Sequence, residues 1–277
     1  MHALRRLRRA WWGVRQELTW GWRHVARGRP GYLVGVLYYR ALAVWPGIPG
    51  AGRACEMVTD RGCVVHYRRV RGDLQGIREV FIDEIYRLPA GARPGSLVDL
   101  GANIGLATVW LAKEYGIEAL AAFEPLAANL EVLRRNCEAN ALRVDVRAAA
   151  LGARDGSASF DVGEGANLGR VARGGAVLVA VAGIAGAVGS LGFAPSLLKM
   201  DVEGAEGELL LEADPSWIRA FELVVAELHP QYVELGRVID AVVAQGFRYY
   251  PPTQESHGTQ RANRERLFVR DDVDVRR

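Results

Sequence analysis

Nine residues constrain this chain more than any others: Leu97-Val98-Asp99-Leu100-Gly101-Ala102-Asn103-Ile104-Gly105. Leu97, Val98 and Leu100 read as a short buried strand of a parallel sheet. Gly101 and Gly105 bracket a turn tight enough to bring backbone N–H groups against a ligand. Asn103 is a good N-cap, and Leu106, Val109, Trp110 and Leu111 carry the next helix toward a core, its positive end directed back at the turn. A strand, a glycine turn and a helix in this order make an α/β fold.

The spacing inside the turn separates the ligands it would suit. A dinucleotide fingerprint is G-x-G-x-x-G, and its second glycine is here Asn103. That disfavours a nicotinamide-dependent oxidoreductase, as does the lack of a Tyr-x-x-x-Lys dyad. Asp-x-Gly-x-Asn-x-Gly resembles instead the first motif of S-adenosylmethionine (SAM)-dependent methyltransferases. Glu124 closes the apolar run 119–123, about twenty residues after the turn, where a ribose-binding carboxylate is expected. Pro125 then opens the next helix, with Leu126, Leu130, Leu133 and Cys137 on one face.

Composition bounds the alternatives. The 277 residues suffice for one large domain and an extension, and half of them are apolar. The net charge of +3 hides an asymmetry: residues 1–30 carry +7, leaving −4 for the rest. The body is therefore not a basic nucleic-acid surface. Cys55, Cys63 and Cys137 form no C-x-x-C pair and point to free thiols in a reducing, cytoplasmic compartment.

Residues 1–50 form a basic, aromatic, helical extension that ends in the Pro-Gly-rich linker 46–52, and residues 51–277 form the main domain, with its core at 95–270. Arg5, Arg6, Arg8 and Arg9 accompany Trp11, Trp12, Trp20 and Trp22, and the apolar run that follows is too short to span a bilayer. The thirty-residue basic lead is long for a signal peptide. Two readings of this start stay open. One is a peripheral contact of residues 1–45 with the inner membrane surface, and the other is a helical extension packed on protein. The first allows a membrane-tethered, non-catalytic binding module as the rival function.

Past the linker a hairpin is expected over 57–67 and a helix over 76–87. Strands at 97–100, 119–123, 144–148, 197–202 and 223–228 alternate with helices, which predicts a mostly parallel sheet covered on both faces, and 177–181 is another apolar strand. A glycine-rich hairpin is expected over 153–175, a last helix over 232–245, and an antiparallel edge near 247–250 and 266–269. The loop 251–263 is long enough for a substrate lid.

In such sheets ligands lie beyond the carboxyl ends of the strands, where Asp99, Glu124, Asp201, Glu203, Glu227 and His229 all fall. Asp99 and the backbone of Gly101, Ala102, Asn103 and Gly105 would meet the amino-acid end of a SAM-like ligand, Glu124 its ribose, and Asp145 with Ala150 its adenine. Lys199 and Glu227 on adjacent strands read as a structural ion pair. Asp201 or Glu203 would face the sulfonium or the substrate, and His229 is a candidate general base. Asp201, Glu203 and Glu227 could hold a magnesium ion, although their spacing does not demand one.

Taken together, Val98 to Gly105, Phe123-Glu124-Pro125, Asn136 through Asn140, Ala150-Leu151-Gly152, Leu198-Lys199-Met200-Asp201-Val202-Glu203-Gly204-Ala205-Glu206 and Glu227-Leu228-His229 resemble the FkbM family of SAM-dependent methyltransferases, in that family's order. The resemblance implies a Rossmann-like class I methyltransferase fold with a seven-stranded, mostly parallel sheet and SAM as methyl donor. It also implies transfer to a hydroxyl oxygen of a sugar, glycan or natural-product acceptor.

Overall fold

The computed structural model describes residues 14–42, 52–161, 170–171, 177–251 and 265–275. The chain divides into two units, residues 1–84 and 85–277. In the first, residues 14–24 are helical and lead into β1 (Val25–Arg27) and α1 (Arg29–Leu42). The hairpin expected past the linker is present as β2 (Ala54–Thr59) and β3 (Val64–Arg68). Because β1 pairs antiparallel with β2, the hairpin completes a three-stranded sheet with the N-terminal segment. The linker expected at 46–52 lies outside the described residues apart from Gly52.

The helix expected at 76–87 starts earlier, as α2 (Arg71–Ile77), and continues as a π-helical turn, Arg78–Ile82. Asp73 sets the start, accepting from the Arg68 backbone N–H at 2.7 Å and pairing with its guanidinium. Asp83 ends it by pairing with Arg78 and donating its N–H to the Arg78 carbonyl. Among the described residues no helix is long and apolar enough to cross a membrane.

The second unit holds the seven-stranded sheet. Its strands are β4 (Ser96–Leu100), β5 (Ala119–Phe123), β6 (Val144–Arg147), β11 (Leu197–Met200), β12 (Leu223–Glu227), β13 (Phe247–Tyr250) and β14 (Glu265–Arg270). Between β6 and β11 lie β7 (Ala150–Gly152), β8 (Gly156–Asp161), β9 (Arg170–Val171) and β10 (Val177–Gly183). The order is β13-β14-β12-β11-β4-β5-β6, parallel from β6 to β12, with β14 antiparallel to both neighbours. The chain runs outward from β4 to β6 and then returns to the other side of β4 at β11. In open α/β sheets such a reversal is where ligands bind, here the crevice position at the carboxyl ends of β4 and β11.

Every residue of β4, β11 and β12 is buried, as a central strand covered on both faces requires. The pleat sorts them. Val98, Leu100, Leu198, Met200, Val224 and Ala226 join one core with Leu209, Leu210, Trp217, Val238 and Val242. Ala122 faces the opposite layer with Leu133 and Cys137. The helices of the unit are α3 (Leu106–Tyr115), α4 (Ala127–Ala139), α5 (Ile184–Gly189) and α6 (Leu235–Val243).

Several expected boundaries shift. Helix α3 begins at Leu106, with Gly105 as its N-cap at φ +80°, because Asn103 at φ +51° is still within the turn. Helix α4 begins at Ala127, because Pro125 and the extended Leu126 precede it. The last helix is confined to 235–243, since residues 230–234 form a turn. The strand expected at 177–181 is present and runs on to Gly183, in a sheet of its own. It is β10, parallel to β7 and antiparallel to β8, in a separate four-stranded sheet where Leu178 is 73% exposed. The antiparallel pairing of β8 and β10 gives the hairpin expected at 153–175 a later second arm, while residues 162–169 and 172–176 lie outside the described set. The proposed lid at 251–263 also lies outside it, apart from Pro251.

Candidate functional site

The first wall of the crevice is the glycine turn. The N–H groups of Gly101 and Ala102 donate to the Phe123 carbonyl at 3.1 and 2.9 Å, and the Gly105 N–H donates to Ala102. The Asn103 N–H donates to Glu124 Oε2 at 3.0 Å. The turn is thus tied to the end of β5, and these N–H groups do not point at a ligand as the sequence suggested. It offers its close contour and the Asn103 side chain, whose Oδ1 is enclosed without a hydrogen-bond partner.

Glu124 holds the second wall. Its Oε1 accepts from the Leu126 N–H at 2.9 Å and from Asn129 Nδ2 at 3.2 Å, so it also secures the start of α4. Burial raises its pKa, and these hydrogen bonds work against the rise. Pro125 is half-buried at the corner, and Ala150 is buried at the head of β7. Asp145 is exposed and paired with Arg147 at 2.8 Å, a solvated edge pair.

The two middle strands are locked by charge. Lys199 on β11 pairs with Asp99 on β4 at 2.9 Å, and the Glu227 carboxylate expected as its partner adds to the field that holds its charge. The parallel register places Lys199 directly beside Asp99, and Lys199 Nζ also donates to the Gly101 carbonyl at 2.8 Å. Burial works against the lysine charge, but Asp99, Asp201 and Glu227 more than offset it and raise its pKa. Asp99 has no exposed surface and accepts a 2.6 Å hydrogen bond from Thr108 Oγ1. Its carboxylate therefore sits inside the protein, supporting the turn from below.

Beyond β11 and β12 the acids converge. Asp201 approaches Tyr86, whose hydroxyl donates to Oδ2 at 3.4 Å, while Oδ1 is enclosed without a hydrogen-bond partner. Glu203 stands at φ +49° and Gly204 at φ +103°, a left-handed pair that turns the chain back over the strand ends. A glutamate in that region is strained, as residues at functional sites often are. His229 is 3% exposed, and its Nδ1 lies 2.7 Å from Oε1 of the fully buried Glu206. Its Nε2 faces Glu203 at 3.4 Å and Glu227 at 3.6 Å.

This crowding moves protons. Burial followed by the Glu227 charge pushes Asp201 up to about 6, and burial followed by Asp201 pushes Glu203 up to about 8. Burial would lower His229, but the Glu206 hydrogen bond and the surrounding carboxylates raise it to about 9. At neutral pH the imidazole is therefore a cation, which suits it poorly to the general-base role. All three groups hold their proton more tightly in the folded chain than in the unfolded one. Their contribution to stability is full at low pH and falls as pH rises from about 4 to 9. In chelator-containing buffer the urea midpoint should fall over that range, and Glu203→Gln should flatten the part between about 4.5 and 8. An unchanged slope in the variant would show that Glu203 does not titrate this way.

The structure thus gathers Asp201, Glu203, Glu227 and His229 at one end of the sheet and joins Glu124 to the turn. Sequence reasoning missed Glu206, Thr108 and Tyr86. Glu206 carried a signal, since it stands in the same acidic motif as Asp201 and Glu203.

No family model matches the chain. A curated relative, Methyltransferase 1 of Beauveria bassiana (strain ARSEF 2860), is 33% identical over 81 residues, which make up 29% of this chain and 32% of that protein. Among solved structures, the methyltransferase FkbM from Methylobacillus flagellatus KT matches with a TM-score of 0.45 and 19% identity, over 63% of this chain and 43% of that one. A methyltransferase from Pyrococcus furiosus matches with a TM-score of 0.43 and 14% identity, over 87% of this chain and 98% of that one. The chain spans about a third of the curated relative and under half of the first of these structures. Its strand order and directions, with the glycine turn after the central strand, define its class: the Rossmann-like class I SAM-dependent methyltransferase fold.

Proposed function

We propose that this chain is a SAM-dependent O-methyltransferase of the FkbM type, acting on a hydroxyl of a sugar, glycan or natural-product acceptor. The observation that carries the reading is the reversal of strand order at β4 and β11. There the Glu124-braced turn lies on one side of the central strand and the Asp201–His229 cluster on the other. The 33% identity to a protein named as a methyltransferase supports it further.

The residues present suit SAM. Enclosed Asn103 Oδ1 lacks a hydrogen-bond partner and is an acceptor that the ligand's ammonium end would satisfy. Glu124 would take the ribose hydroxyls, with Pro125 and Ala150 beside it. SAM supplies an electrophilic methyl group. The protein would hold donor and acceptor in line and take the hydroxyl proton as the C–O bond forms and the methyl–sulfur bond breaks, with S-adenosylhomocysteine as the leaving group. Asp201, pushed up to about 6 and so ionised at neutral pH, is suited to accept it. His229 and Glu206 hold the acid cluster in place.

This reading takes a reducing, cytoplasmic setting, in keeping with free Cys55, Cys63 and Cys137. A peripheral membrane contact through residues 1–45 is supported by Trp22, Val34 and Leu37, which are exposed by 64%, 49% and 53%.

Calorimetry tests the cofactor. SAM should bind the purified chain, NAD should not, and Glu124→Gln should weaken SAM at least tenfold without loss of helix content. A folded chain that ignores SAM would sink the reading. Where SAM binds, methyl transfer to a panel of hydroxyl compounds tests the acceptor class.

A further inference from the structure

We infer that Asp201, Glu227 and His229 form a site for a divalent transition-metal cation. One donor atom from each lies within 4.8 Å of the other two. Two donors about 2.1 Å from one ion at a right angle stand about 3.0 Å apart. The 3.6 Å between His229 Nε2 and Glu227 Oε1 is therefore a few tenths of an ångström from that spacing.

Two further observations point to a ligand. Asp201 Oδ1 is enclosed and has no hydrogen-bond partner, which is costly for a carboxylate oxygen unless something occupies the space before it. His229 is 3% exposed, yet its Nε2 meets carboxylate oxygens only at 3.4 and 3.6 Å, longer than a good hydrogen bond. A cation between these groups would satisfy both.

The other side of the ring is already prepared. Glu206 lies 2.7 Å from His229 Nδ1, and a histidine that ligates a metal usually gives its second ring nitrogen to a carboxylate in this way. Glu206 fixes the ring with Nε2 toward Glu203 and Glu227, and an ion bound there displaces the proton that Nε2 carries in the metal-free chain. Two carboxylates with one imidazole suit Mn2+, Fe2+, Co2+ or Zn2+ better than Mg2+ or Ca2+, which prefer oxygen alone. The imidazole is what separates this site from the all-oxygen magnesium set suggested by the sequence. In the methyltransferase reading, on which this use of the ion rests, the ion lies where an acceptor hydroxyl must lose its proton, with Glu203 beside it.

The full chain, stripped of metal with a chelator, should be titrated with MnCl2 and free Mn2+ followed by electron paramagnetic resonance. One Mn2+ per chain is expected, with Mg2+ competing at least tenfold more weakly. Glu227→Gln and His229→Asn should each weaken Mn2+ at least tenfold, and Glu206→Gln about tenfold by loosening the ring. Pulsed spectra of Mn2+ on the wild-type chain should show coupling to an imidazole nitrogen, a readout that survives if a variant fails to fold. No stoichiometric binding, equal binding by the variants, or spectra without that coupling would overturn the inference. Calorimetry with SAM on the same sample separates the two proposals. SAM binding without Mn2+ overturns the metal site alone, and Mn2+ binding without SAM overturns the methyltransferase reading alone.

Discussion

Lys199→Met should destabilise the fold by about 3–5 kcal/mol, because it leaves the Asp99 carboxylate charged and unpaired at the centre of the sheet. Asp99 has no exposed surface, so water cannot take the place of the ammonium. Asp99→Asn should cost a similar amount by stranding Lys199, which is itself 3% exposed. The double variant Asp99→Asn/Lys199→Met should recover most of the loss. A neutral pair removes the cost of the buried charges, and asparagine still accepts from Thr108. The recovery would stay incomplete, because the Gly101 carbonyl loses its 2.8 Å donor. Urea unfolding of the four proteins gives the coupling directly. Additive single effects would show that the two charges are not paired as described. Native stability is only about 5–15 kcal/mol, so either single variant stands near the edge of folding.

That pair also marks how far the sequence could be read. Lysine in an apolar strand announced a buried partner, but two acids were eligible, Asp99 on one side of β11 and Glu227 on the other. The register decides, and register is a property of the assembled sheet: Lys199 sits opposite Asp99 on β4 and opposite Val225 on β12. Four of the five parallel strands were legible as short apolar runs closed by a polar residue, and β6 by the alternation of Val144 and Val146 with Asp145 and Arg147. The strand at 177–181 was legible as an apolar run, although Val177, Leu178 and Ala180 are exposed and it pairs with β7 and β8 in a second sheet. The helix starts were missed by two to three residues at Asn103 and Pro125. Asn103 is a favourable N-cap by type, yet it tolerates the left-handed backbone that the turn needs, and the turn claimed it. The acid cluster was legible as four strand-end residues. Its protonation was not, since only the folded chain packs Asp201, Glu203, Glu206 and Glu227 around one imidazole.

Gly101→Ala should prevent both folding and ligand binding, whereas Gly105→Ala should cost only about 1–3 kcal/mol and leave the fold intact. The two glycines look alike in sequence and share a positive φ, +75° and +80°. They differ in what a methyl group would meet. At Gly101 it would overlap the carbonyl oxygen of Asp201 and lie 2.9 Å from the carbonyl carbon, both backbone atoms of the strand exit that carries the acid cluster. Neither can yield without moving β11 away from β4, and that would part Lys199 from Asp99 and from the Gly101 carbonyl. At Gly105 the nearest atom is Cγ of the Leu133 side chain at 3.2 Å, which can give by a few tenths of an ångström. Asn103 already holds φ +51°, so Asn103→Gly should keep the fold while removing the enclosed Oδ1. Circular dichroism and SAM calorimetry on the three variants separate these roles. A folded Gly101→Ala chain that still bound ligand would show that the close contact between turn and strand exit is not needed. Loss of SAM binding in folded Asn103→Gly would assign the turn's recognition to that side chain. The backbone N–H groups of Gly101, Ala102, Asn103 and Gly105 are already committed to Phe123, Glu124 and Ala102.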